Sequence, residues 1–432
     1  MSPAGPTRRR FLGDLGGRAA ALAVPLPVVR SLRLEPLVPP LPASPAAPPD
    51  EAYWFLVRAQ FPIREGLIPL NAANLCPAPR SVIEAAYRAG ADLDADVSFQ
   101  NRAKYDELRE RARDGLARYL GASADEIAIV RNTTEGNNTI VGGLSLGRGD
   151  EVVVFDQNHP TNNVAWDVGA ARYGYAVRRV AAPSEPASPA RLADHFLAAV
   201  TPRTKALALT EVSNTTGLRL PVAAICGALK GRGVHVHVDG AQTFGAMRVD
   251  LHAMGCDSYA GSAHKWFVGP KEAGVLYVRA DRVPGVWANV VGHVWGDRVD
   301  PAPKGARKFE TLGQRNDATL AAIGAALALH AAIGPAVVEA RIAELAARLK
   351  DALGRMPGAT VVTPRSAALS HGVVVTRFAS RDAKAMYETL YRDHGIAAAP
   401  TGGLRLCPHV HNTIDEIDRA TAAVATLAGR GS

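Results

Sequence analysis

The sequence predicts an α/β protein, with a doubly wound, mainly parallel sheet and a smaller α+β lobe toward the C-terminus. Three observations predict it. Short β-branched runs alternate with amphipathic stretches from about Asn71 to about residue 300. Beyond that point long helical stretches take over, with only short apolar runs between them. The chain is also long enough for a large core, with 432 residues of which 47% are hydrophobic and 21% charged.

The first fifty residues stand apart. They open with Thr7-Arg8-Arg9-Arg10-Phe11-Leu12-Gly13. This resembles the twin-arginine export motif, in which Ser/Thr-Arg-Arg-x-Phe-Leu-Lys precedes a modest apolar stretch. Gly13 stands where that motif usually has Lys. Ala19–Val29 supplies the apolar stretch, interrupted by Pro25 and Pro27. The resemblance implies carriage by the twin-arginine translocase and a periplasmic or exported protein. A Pro-rich linker, Val38–Asp50, follows.

The alternating region supplies five expected strands: Ile127–Val130, Glu151–Phe155, Lys205–Thr210, Val234–Val238 and Gly274–Val278. Between the strands, Tyr105, Leu108, Ala112, Leu116 and Tyr119 recur at helical spacing. Further on, Asp317–Ile333 and Pro335–Met356 read as long helices. The second carries one apolar stripe of Val338, Ile342, Leu345, Leu349 and Leu353. Gly372–Phe378 and Gly403–Leu406 read as strands, Asp382–His394 and Thr413–Leu427 as helices. The expected division is a large domain over 71–300 and a small domain built from 51–70 and 301–432.

Charge and cysteines exclude several classes. The formal net charge is +8, of which residues 1–50 contribute +3 (six Arg, three acids), leaving +5 for the rest. That is mild, and no basic cluster is interleaved with aromatics, so nucleic acid is not an expected partner. No uninterrupted apolar run reaches the roughly 18 residues of a membrane span. Cys76, Cys226, Cys256 and Cys407 lie far apart with no CxxC pair, which suits single buried thiols. An exported protein could form a disulfide, but the spacing selects no pair.

Chemistry-bearing residues cluster just after the strands, where ligands sit in such sheets. Asn132-Thr133-Thr134-Glu135-Gly136 follows the first strand and opens a helix. It could cradle a phosphate on exposed N–H groups, or simply cap the helix. Val234–Val238 leads into Asp239-Gly240-Ala241-Gln242. Alternation puts His235, His237 and Asp239 on one face. No further ligand set accompanies them, so a packed, hydrogen-bonded histidine pair is expected rather than a metal site. Ser262-Ala263-His264-Lys265-Trp266 comes next. A His-Lys pair alone means little. Its weight comes from the order Thr134, His159, Asp239, Gln242, Ser262, His264, Lys265, each after a strand.

That set, with Val238-Asp239-Gly240-Ala241-Gln242, Ser262-Ala263-His264-Lys265-Trp266 and Gly269-Pro270, resembles the class V aminotransferases. The resemblance runs from about Trp54 to Leu427. It implies a fold-type-I architecture dependent on pyridoxal 5′-phosphate (PLP), and a homodimer. It makes Lys265 the Schiff-base lysine and Asp239 the partner of the ring nitrogen. Gln242 would face the phenolic oxygen and His159 would stack on the ring. Thr133, Thr134, Ser262 and His264 would hold the phosphate. Asn214 and Arg405 would bind substrate, the arginine through the carboxylate.

Two departures from the family pattern stand out. Family members often place Gly-Thr from the partner subunit on the phosphate. Here the segment reads Gly313-Gln314-Arg315-Asn316, so Arg315 could instead read a second acidic group of the substrate. The loop before Arg405 also lacks the cysteine of a desulfurase. The expected activity is isopenicillin N epimerase-like or aminotransferase-type, on a small or peptidic amino substrate. A C–S or β-eliminating lyase, desulfurases included, and a catalytically silent PLP-fold binding protein remain alternatives.

Overall fold

The computed structural model describes residues 41–42, 49–183, 188–292, 303–379 and 381–429. The arginine-rich opening and most of the Pro-rich linker lie outside the described residues. Residues 41–432 cluster as one compact unit.

The described chain begins with α1 (Glu51–Ala59), β1 (Ile68–Pro69), α2 (Arg80–Ala95) and α3 (Phe99–Tyr119). The alternating region follows as β2 (Ile127–Val130), α4 (Thr133–Gly143), β3 (Glu151–Phe155), α5 (Pro160–Tyr173) and β4 (Ala176–Val180). It continues through α6 (Pro189–Leu197), β5 (Thr204–Thr210), α7 (Val222–Leu229), β6 (His235–Asp239), α8 (Leu251–Met254), β7 (Ser258–Ser262) and β8 (Gly274–Val278). These strands form one seven-stranded sheet in the order β2-β8-β7-β6-β5-β3-β4. Only β8 runs against its neighbours. The remaining pairs are parallel. The fold is therefore the expected α/β layer.

Continuous apolar runs such as Val152-Val153-Val154-Phe155 are buried along their whole length. That is what helices on both faces of a parallel sheet require. One face packs Val153, Phe155, Leu207 and Leu209 against Leu116, Leu120 and Phe196. The other packs Val152, Val154, Ala206 and Ala208 against Ile140, Val141 and Trp166. On that second face α4 lies very close to β7, because Gly136 has no side chain. A Cβ there would sit 2.8 Å from the Cβ of Ala260. This close approach brings the first turn of α4 onto the ends of β6 and β7.

Two strands of the sheet carried no sequence signal. β4 is Ala-Val-Arg-Arg-Val on the sheet edge, where outward polar residues are tolerated. β7 is Ser-Tyr-Ala-Gly-Ser, small rather than β-branched, which suits the tight packing under α4.

Beyond the sheet come α9 (Asp317–Ala321), α10 (Ile323–Ile333) and α11 (Pro335–Leu353). The expected single helix over Asp317–Ile333 is thus two, meeting at Ala322. Leu320, Ile323 and Ala326 join the same core as Leu116 and Leu120. The stripe Val338, Ile342, Leu345, Leu349 and Leu353 is fully buried, as its spacing predicts. Next come β9 (Ala359–Val361), β10 (Val374–Phe378), α12 (Ala383–His394), β11 (Ile396–Ala397), β12 (Leu404–Leu406) and α13 (Ile414–Gly429). A second sheet, β12-β10-β9, is antiparallel and carries Arg405.

Residues 51–70 are stitched to this C-terminal part. β1 pairs in parallel with β11. Glu51 reaches Arg341 at 2.7 Å and accepts the Ile414 N–H at 3.0 Å. Arg58 pairs with Glu416 at 2.6 Å. Among the described residues, no single helix is long and apolar enough to cross a membrane.

Candidate active site

Asp239 ends β6 and is 2% exposed. Its carboxylate is met by donors: Asn137 Nδ2 at 2.9 Å, Asn162 Nδ2 at 3.4 Å and the Ala241 N–H at 3.1 Å. Asn137 lies on the first turns of α4, and Asn162 on the first turn of α5. Two helices that start at neighbouring strand ends thus aim amides at one carboxylate.

Lys265 lies on the turn after β7 and is half-buried. Burial pushes its amine below the ordinary lysine value, the charge of Asp239 opposes that, and the charge of Arg405 adds to it. Those three side chains therefore share one electrostatic neighbourhood. The turn itself is held firmly. Val268 adopts φ 48°, an unfavourable value for a β-branched residue. His409 Nδ1 accepts the Val410 N–H, so its Nε2 donates to the Trp266 carbonyl at 2.8 Å. His330 Nε2 lies 3.1 Å from the Phe267 carbonyl. Phe267 is stacked between Phe244 (4.4 Å) and His330 (4.9 Å). Gly245, at φ +91°, lets the chain pass here, since a Cβ would strike the Phe267 backbone.

The first turn of α4 borders the same place. Asn132 caps it, and the Thr133 N–H and hydroxyl lie 2.9 and 2.7 Å from Ser262 Oγ. Thr134 is exposed and reaches Thr161 Oγ1, which lies 2.9 Å from His159 Nδ1. His159 is the N-cap of α5. Burial and the Lys265 charge hold its ring below the ordinary histidine value. His264 is lowered to about 4 by burial, then by Lys265 and Lys271.

Gln242 accepts the Trp266 indole N–H at 2.8 Å and donates to the Ala73 carbonyl at 3.1 Å. That leaves one amide hydrogen for another acceptor. Arg405, 4% exposed, donates Nη1 to the Asn214 carbonyl and Nη2 to Asn71 Oδ1, both at 3.0 Å. Its Nε is buried without a partner. A buried guanidinium N–H is rarely left so, and a bound acid would satisfy it.

Thr133, His159, Asp239, Gln242, Ser262, His264, Lys265, Asn214 and Arg405 are thus linked through strand ends and shared contacts. Arg315 is not among them. Its guanidinium sits on the Ile129 carbonyl at 2.6 Å and 3.6 Å from Glu310, and Gln314 turns back onto the Arg315 carbonyl. Asn71, Asn137, Asn162 and His409 were not anticipated. Asn137 had one usable signal, since it follows Thr133 by four residues and so shares its helical face. All four cysteines are buried free thiols. Burial raises Cys76 and Cys407 well away from thiolate formation. Among the described residues no group of His, Cys, Asp and Glu could hold a metal, and His235 and His237 are hydrogen-bonded inside the sheet.

The family model Aminotransferase class-V matches residues 71–416. The chain belongs to the class V aminotransferase family. It is 30% identical over 395 residues to isopenicillin N epimerase of Streptomyces clavuligerus, covering 88% of this chain and 99% of the relative. It is 31% identical over 410 residues to a cysteine desulfurase of Klebsiella pneumoniae, covering 86% and 97%. Among solved structures it resembles a C-DES mutant with glycine covalently linked to its PLP cofactor. There the TM-score is 0.77 at 26% identity, over 85% of this chain and 98% of that one. The cysteine desulfurase CsdA of Escherichia coli gives 0.76, also at 26%, over 86% and 98%. This protein is accordingly an enzyme of that family, and its cofactor is pyridoxal phosphate. The residues present fit that group. A depressed amine, a buried carboxylate rich in donors and a hydroxyl-lined helix N-terminus stand together, and an aldehyde, a pyridine nitrogen and a phosphate need those three.

Proposed function

We propose that this enzyme acts at the Cα of an amino acid with a free α-carboxylate, moving the Cα proton in an epimerisation or a transamination. The open, buried Nε of Arg405 carries this reading. It leaves a planar donor unsatisfied within electrostatic reach of Lys265, which suits a carboxylate brought by the substrate.

In this reading Lys265 would hold the cofactor covalently and, once displaced by the substrate amine, its own amine, held below the ordinary lysine value by burial, would take and return the Cα proton. Asp239 would face the ring nitrogen. Thr133, Thr134, Ser262 and His264 would hold the phosphate, His159 would lie over the ring, and Gln242 would donate its remaining amide hydrogen to the phenolic oxygen. Asn214 and Arg405 orient the substrate. When bound, the cofactor supplies an electron sink for the bond broken at Cα. The likeness to C-DES, a cystine C–S lyase solved in complex with its product cysteine persulfide, favours β-elimination as a second reading. Both readings begin with removal of the same proton. Persulfide chemistry on a protein thiol is disfavoured, since all four thiols are buried.

We read the protein, too, as an exported homodimer. Export is supported by Thr7–Gly13 alone. Dimerisation is supported by Tyr87, Val97 and Phe99 on and beside α2 and α3, apolar yet 70%, 73% and 85% exposed.

The deciding experiment incubates the holoenzyme with D- and L-amino acids in deuterated water. Deuterium at Cα with an inverted or unchanged centre supports the first reading. Keto acid with sulfide or ammonia release supports elimination. No exchange with any α-amino acid would overturn both.

A further inference from the structure

His235 and His237 are hydrogen-bonded inside the sheet, and the proposed chemistry gives them no part. Yet both are deeply buried, and the two rings end in one continuous chain of hydrogen bonds. His235 Nε2 lies 2.8 Å from Ser258 Oγ. Ser258 Oγ lies 2.8 Å from His237 Nδ1. His237 Nε2 lies 2.9 Å from Asn137 Oδ1, and Asn137 Nδ2 lies 2.9 Å from Asp239 Oδ2. Register makes this possible, because His237 and Ser258 are direct cross-strand partners on β6 and β7.

The direction of every bond follows from its end. An ionised carboxylate only accepts, so Asn137 must present its NH₂ to Asp239. Its Oδ1 must then receive, which puts a proton on His237 Nε2. Burial keeps His237 neutral, down at about 3, so its Nδ1 is bare and receives the Ser258 hydroxyl. Ser258 Oγ in turn receives from His235 Nε2–H, and His235 is likewise held at about 4 by burial. Four successive donors therefore point toward Asp239. Asn162 is braced in the same sense, since its Oδ1 accepts the Trp166 indole N–H at 3.0 Å while its Nδ2 faces Asp239. Neither amide can turn round without leaving a buried donor facing a donor.

We propose that His237, acting through Asn137 and supported by Ser258, is a positioning residue that keeps Asp239 charged toward the ring nitrogen of the cofactor. Hydrogen bonds to the ionised carboxylate favour it over the neutral acid, and an aligned chain polarises each member toward that end. The proposal rests on the assignment of Asp239 to the ring nitrogen.

The test compares binding of pyridoxal phosphate with binding of a carbocyclic analogue in which carbon replaces the ring nitrogen. Both are titrated into the full-length apoprotein. His237→Phe keeps a ring but removes the donor. It is expected to weaken pyridoxal phosphate binding by up to about tenfold, the size of one buried neutral hydrogen bond. Binding of the analogue should stay within about twofold of wild type, since without the nitrogen that bond has nothing to support. His237→Gln, whose amide N–H can reach the place of Nε2, should restore most of the difference. Ser258→Ala, a smaller perturbation, should show the same selective loss at about threefold, and it decides the matter if His237→Phe does not fold. A folded His237→Phe or Ser258→Ala protein that binds both ligands as wild type would overturn the proposal. So would equal weakening of both ligands, which marks mere structural damage. Asp239→Asn is the control for the underlying assignment. If it does not change the preference for pyridoxal phosphate over the analogue, the assignment of Asp239 fails, and the relay falls with it.

Discussion

Asp239 and Lys265 stand at the ends of neighbouring parallel strands, yet the protein holds them by opposite means. Around Asp239 it gathers amide donors, and it braces those amides from behind with His237 and Trp166. Around Lys265 it fixes only the backbone, with His409 and His330 on the two following carbonyls. No hydrogen bond or ion pair reaches the lysine amine among the described residues. The difference follows the task. A charge that must persist is solvated by the protein, and a charge that must be surrendered is left without partners.

The severest way to break this comparison is Lys265→Ala. All turnover and the visible absorbance of the bound cofactor should be lost, measured by spectrophotometry of the purified protein. Retention of both would mean that another amine carries the cofactor. Next is Arg405→Lys. A lysine cannot present the planar fork, so KM for the amino substrate should rise on the order of tenfold or more, with kcat changed less. Steady-state kinetics checks this, and an unchanged KM would remove the carboxylate from Arg405.

Acid should weaken both regions together. His237 and His409 are held down at about 3, and His235, His330 and His371 at about 4, each first by burial. Folded, they stay neutral, and unfolded, they take up a proton below about pH 6.5. The unfolded state therefore gains protons as pH falls, and stability present above that pH is lost below it. Each histidine removes about 1.4 kcal/mol per pH unit between its unfolded and folded values. Urea unfolding of the apoprotein at pH 7 and pH 5 should show the loss, and equal midpoints would contradict the buried, neutral rings. The smallest effect belongs to Cys407→Ser. Cys407 is fully buried beside Arg405, so the variant should keep most activity. Intact-mass spectrometry of wild type after L-cysteine should show no added sulfur. A sulfur adduct lost in the variant would turn the reading to desulfuration.

Much of this was legible in the sequence, for reasons that differ by region. Ile127–Val130 and the Val152–Phe155 run are apolar end to end, so a strand buried on both faces announces itself. The strand face shared by His235, His237 and Asp239 followed from alternation alone, and the relay runs along it. What alternation could not give was the partner across the sheet. Ser258 sits on β7, whose small residues carry no strand signal, and Asn137 comes from a helix placed by one glycine. The fate of Arg315 was equally hidden, because its partners Ile129 and Glu310 depend on tertiary packing.

The stitching of α1 and β1 to the far end of the chain has a consequence for synthesis. Glu51 needs Ile414 and Arg341, Arg58 needs Glu416, and Ile68 needs Ile396. A ribosome delivers the first member of each pair hundreds of residues before the second. The seven-stranded sheet, complete by Val278, can form while translation continues. The segment made before it must wait for its C-terminal partners, the last of which lies on the final helix. That waiting interval is when a nascent chain of this design is most in need of a chaperone.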